Sequence, residues 1–136
     1  MRQNIASLVI DAETLKAIDG TLTALEKQLE DFIQLSAEQR RELLKLGPKS
    51  EVFCRETLSV MERSPGALPV DFDMDAVRED REALDQVRPI LSRLRMLISR
   101  AQDTETALGR DLHKAAPGGH RLAKAPAPRA DQDQPT

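Results

Sequence analysis

Counting in sevens from Val77 meets Leu84, Leu91, Ile98, Glu105 and Leu112. The positions three residues further on are Asp80, Val87, Leu94, Ala101 and Leu108. Apolar residues recurring every three and four positions describe one stripe on a long helix. A second stripe runs through Leu15, Ile18, Leu22, Leu25, Leu29 and Phe32, in the same heptad spacing. Two such stripes predict an all-α protein in which helices lie side by side.

The residues between the stripes supply the punctuation. Asp11 reads as a helix N-cap, with Glu13 in the first turn and Ile10 and Leu15 at hydrophobic-staple positions. Gly20 costs that helix about 1 kcal/mol against Ala, too little to break it. Ser36 and Gln39 have capping-box spacing and open a short second helix at Ala37, with Leu43, Leu44 and Leu46 as its buried end. Gly47-Pro48 stops it and starts the next. Helix three is predicted from about Ser50 to about Glu62, burying an arc of Phe53, Cys54, Thr57, Leu58 and Met61. Ser64-Pro65-Gly66 ends it, and Pro69 keeps the next stretch extended. That loop is long for a bundle connection, and so it is where a site outside the core is expected.

Asp73 then caps the long helix, with Phe72 and Val77 as a second staple. Pro89 falls inside the helical pattern and removes a backbone hydrogen bond, which predicts a kink or a break into two helices; the periodicity continuing across it favours the kink. Pro117-Gly118-Gly119 is read as the end of ordered structure, because the residues beyond it are rich in Pro, Ala, Asp and Gln. The expectation is an antiparallel helical bundle of four or five helices, with a long Pro-kinked C-terminal helix and a disordered tail. Residues 1–10 are expected to be a flexible lead-in, 11–116 the bundle domain, and 117–136 the tail.

Several short stretches carry a resemblance. They are Leu35-Ser36-Ala37-Glu38-Gln39-Arg40, Leu46-Gly47-Pro48-Lys49-Ser50-Glu51-Val52-Phe53, the Pro69 to Asp75 loop, and Arg88-Pro89-Ile90-Leu91. Together they resemble a family of small bacterial all-helical proteins with no assigned activity. The likeness spans roughly Leu25 to Leu112, a domain-sized unit. The chain departs from that pattern at Pro48, at Val70-Asp71-Phe72 and at Pro117-Gly118-Gly119. The resemblance implies a bacterial, soluble, helical protein and no catalytic residue.

Composition narrows the function classes. A net charge of -3 gives no global pull toward nucleic acid or anionic membranes. The only aromatics are Phe32, Phe53 and Phe72, so stacking platforms for bases are scarce. One cysteine, Cys54, excludes an intrachain disulfide, and an intracellular, cytoplasmic location is the simplest reading. The apolar run Leu8 to Ile10 is too short for a signal peptide, and no run approaches a membrane span.

Candidate chemistry is thin. Asp71, Asp73, Asp75, Glu79 and Glu82 match several ligand positions of a calcium loop, but Ala76 stands where that loop needs glycine. Acids at a helix start explain them more simply. His113 and His120 are separated by Pro117-Gly118-Gly119, which predicts that no helix holds both, and no zinc-ligand set accompanies them. Cys54 reads as a buried structural thiol with no local histidine to activate it. No metal, cofactor or small-molecule site is identifiable, and no catalytic constellation; an enzyme here would have to work with carboxylates alone.

Charge is the stronger signal. Asp71 to Val87 holds seven acids and two arginines, a local sum of -5, whereas Arg88 to Arg100 holds Arg88, Arg93, Arg95 and Arg100 with no acid, a local sum of +4. Helix-surface charge is usually a solvated face or a partner for a neighbouring helix. The expected function is therefore that of a non-enzymatic interaction or scaffold protein, a homo-oligomer or adaptor with protein partners. Its interface or core stripe would comprise Leu15, Ile18, Leu22, Leu25, Leu29, Leu84, Leu91, Leu94 and Ile98. The alternative is a nucleic-acid-associated protein using the Arg88 to Arg100 face, which the charge balance and the missing aromatics disfavour.

Overall fold

A computed structural model describes residues 6–43 and 45–124, with the backbone alone at 120, 121, 123 and 124. Four α-helices make up most of it: α1 (Ala12–Gln28), α2 (Ala37–Glu42), α3 (Pro48–Arg63) and α4 (Met74–Lys124). A single 3-10 turn, Pro65–Ala67, follows α3, and the described residues contain no strand.

The helix starts lie where their capping residues put them. Asp11 is extended (φ -72, ψ 166) and its carboxylate accepts from the Thr14 N–H at 2.7 Å. Ser36 and Gln39 form both bonds of a capping box, at 3.1 and 2.9 Å; a cap of this kind stabilises by about 1 kcal/mol. Pro48 opens α3 from an extended Gly47, at a position where its missing N–H costs nothing. Asp73 caps α4 by accepting from the Ala76 N–H at 3.0 Å.

The chain divides into two compact units. One comprises Ile10–Val87 and the other Met1–Val9 with Arg88–Thr136. In the first, α3 and the opening turns of α4 form an antiparallel hairpin. Arg55 reaches Asp85, and Glu62 reaches Arg78 and Arg81; partner numbers that fall as the other rises mark opposed chain directions. The connection is held by its turns: Leu68 N–H donates to Pro65, and Phe72 N–H to Pro69. In the second unit, residues 6–9 lie beside the turns of α4 near Leu108 and Leu112, and the Ala6 N–H points at Asp111 Oδ2 from 3.4 Å.

Four expectations need correction. The helix does not stop at Pro117-Gly118-Gly119; it continues through all three residues to Lys124. Proline and glycine lower helix propensity, but a helix already propagating from Met74 bears the cost of a local interruption without a new nucleus. Residues 125–136 of the expected tail lie outside the described residues. Leu43 and Leu46 are exposed rather than the buried end of α2, because α2 is only six residues long and offers no face to pack; Leu44 lies outside the described residues. Cys54 is exposed rather than buried. Phe53, expected inside, is 70% exposed, because α3 turns a different face toward α4.

Candidate interaction surface

The face that α3 turns toward α4 is largely charged. Its half-buried residues are Glu51, Arg55, Leu58, Met61 and Glu62. Their spacing of four, three and four through 51, 55, 58 and 62 is a helical stripe, which an apolar count overlooks. The complementary stripe on α4 places Arg78, Arg81 and Asp85 opposite.

Two ion-pair clusters result. Arg55 bonds Glu51 Oε2 through Nε at 2.9 Å and Asp85 Oδ1 through Nη2 at 2.7 Å. The hydrogen bonds to Asp85, then to Glu51, raise the pKa of its guanidinium, which is charged at every accessible pH in any case. At the other end, Glu62 Oε1 lies 2.6 Å from Arg81 Nη2 and 3.6 Å from Arg78 Nε. That oxygen is shielded from water and meets no donor at a hydrogen-bonding angle. The two nearby positive charges compensate it by Coulomb attraction. Solvent screens pairs of this kind, so they specify alignment more than they stabilise. Between the clusters, Leu46, Cys54, Leu58, Val77 and Leu84 line a shallow open groove of about 170 Å³.

The expected stripe residues divide by exposure. Leu15 is 57% exposed, Leu22 51% and Ile98 53%, with Ile18 and Leu91 also exposed. Leu25, Leu29, Leu84 and Leu94 are half-buried. No described residue is fully buried. An amphipathic helix whose apolar face stays in water forgoes the burial of roughly 1.5–3 kcal/mol per large side chain that makes such a helix stable.

The four arginines are on α4. Arg93, Arg95 and Arg100 are exposed and form no ion pair among the described residues. Exposed carboxylates of α1, Asp19 and Glu26, likewise form none among the described residues.

Two of the five acids that match calcium-loop positions have other tasks. Asp73 is the α4 cap, and Asp75 accepts from Arg78 Nη1 at 2.9 Å. His113 and His120 do share a helix, contrary to the reading of the glycines between them. Two turns separate their backbones by about 10 Å along the axis. Among the described residues no three metal-ligating side chains converge, and no helix is long and apolar enough to cross a membrane. The chain matches no protein-family model, no curated protein and no solved structure.

Proposed function

We propose that this chain is a non-enzymatic helical interaction protein, which acts by covering the apolar faces of α1 and α4 with helices of a protein partner. One observation carries the reading: both heptad stripes present large aliphatic side chains to solvent, among them Leu15, Leu22 and Ile98. A contiguous exposed apolar face rimmed by charge is the usual mark of a protein contact surface. The antiparallel bundle of four or five helices, in the resemblance as in the heptads, is then completed by the partner.

A photoreactive side chain placed at position 22 or 94 and irradiated in living cells tests this. Adducts heavier than the single chain are expected from both positions, and none from the polar position Ser99. Linkage confined to the mass of one chain would reject the reading. A homo-oligomer gives an adduct of twice 15.1 kDa; an adaptor gives another mass.

The exposure of Arg93, Arg95 and Arg100 favours one second reading, contact with nucleic-acid phosphates. It predicts retention of a duplex probe that weakens steeply with salt. The net charge of -3 and the three-phenylalanine aromatic content weigh against it.

A further inference from the structure

The charges that border the two exposed stripes are not arranged alike. On α1, the position immediately after each second apolar residue of the heptad is acidic, Asp19 and Glu26. On α4 the same position is basic, Arg88 and Arg95. In antiparallel helix pairs these positions face one another across the seam, and they set partner choice and orientation. An α1–α1 pair would set acid against acid, and an α4–α4 pair arginine against arginine. Parallel pairing would set Asp19 and Glu26 against Ile90 and Leu97. Only an antiparallel α1–α4 pair matches every charge.

One register is preferred. With Leu22 opposite Leu94, Ile18 falls on Ile98 and Leu25 on Leu91, while Asp19 meets Arg95 and Glu26 meets Arg88. Sliding one heptad in one direction sets Leu29 against Asp80; sliding in the other sets Ile18 against Glu105. Both slips place a carboxylate in the seam, where an unpaired charge is costly. The first slip still sets Asp19 against Arg88 and Glu26 against Arg81, so what disfavours it is the contact of Leu29, the C-cap of α1, with Asp80.

We propose that the occupant of each stripe is a second copy of this chain, with α1 of one copy lying antiparallel on the Val87 to Ala101 stretch of α4 in the other. The inference rests on the interaction reading above and names its partner. Each chain carries both halves of a complementary pair, with Leu15, Ile18 and Leu22 of one half and Leu91 and Ile98 of the other exposed.

The test uses full-length chains with Cys54→Ser. Leu22→Cys in one chain and Leu94→Cys in another, mixed and oxidised, should yield a disulfide-linked species of twice the chain mass, and neither variant alone should. A double variant whose disulfide closes within one chain overturns the proposal and the interaction reading together. A wild-type chain of single mass with no disulfide in the mixture overturns the proposal alone, and a photoadduct with another protein would keep the broader reading.

Charge exchange answers for variants that misfold. Asp19→Arg with Glu26→Arg in one chain, and Arg88→Asp with Arg95→Asp in another, should each weaken self-association about tenfold or more. Their equimolar mixture should reassemble to the wild-type mass. Self-association unchanged in both charge variants also overturns it.

Discussion

At the scale of single residues, the side chains that define this structure are caps and charge pairs. Asp11 shows how local chemistry becomes a measurable pH dependence. The Thr14 backbone N–H bond, foremost among its contacts, lowers the Asp11 pKa from the ordinary 3.8. The unfolded chain binds the proton more readily than the folded one, so this cap stabilises fully above that ordinary value. Its contribution disappears as pH falls through the lower folded value. Asp11→Asn keeps the cap and removes the titration. Helical content followed by circular dichroism from about pH 6 to about pH 2 should therefore fall less in Asp11→Asn than in the wild type. Parallel curves would show that the cap does not couple to α1. Glu62 sits differently, with one oxygen drawn toward Arg78 and Arg81 and away from water, so removing either cation leaves the other as its support.

At the scale of elements, the long helix is the main surprise. It passes Pro89 and then Pro117 within one helical run, Met74–Lys124. Ending the chain at Ala116 should reduce the helical circular dichroism signal by the share of the eight residues 117–124. An unchanged signal would place the end of the helix at Ala116 after all. Most helix starts are legible in the sequence, because an N-cap such as Asp11, Ser36 or Asp73 acts within three residues of itself. The ends and faces are less so. Pro117-Gly118-Gly119 signals a breaker by propensity, yet propensity is a small term against propagation of an existing helix. The α3 face departs from its apolar arc for a related reason. Phe53 and Thr57 fit that arc, whereas the hairpin is aligned by Arg55 and Glu62, whose value depends on Asp85 and Arg81 some 20 to 30 residues away. Charge periodicity counted alongside apolar periodicity, 51-55-62 against 78-81-85, reveals it. For the candidate surface, the stripe residues are legible singly, but their exposure is not, because burial is a property of what lies opposite.

At the scale of the whole molecule, the two kinds of contact differ in how far the chain must travel to make them. The hairpin ion pairs join residues at most 30 apart in sequence, so closing it costs little chain entropy and carries a low contact order. The seam proposed between copies would be bimolecular. Refolding should thus separate into two kinetic phases: a fast one whose rate is independent of protein concentration, as the hairpin closes, and a slower one that accelerates with concentration, as copies meet. Stopped-flow circular dichroism at two concentrations resolves them, and a single concentration-independent phase would show that no second copy takes part. The local hairpin would then be a nascent-chain structure, able to form on α3 and the first turns of α4 while the remainder of α4 is still being synthesised.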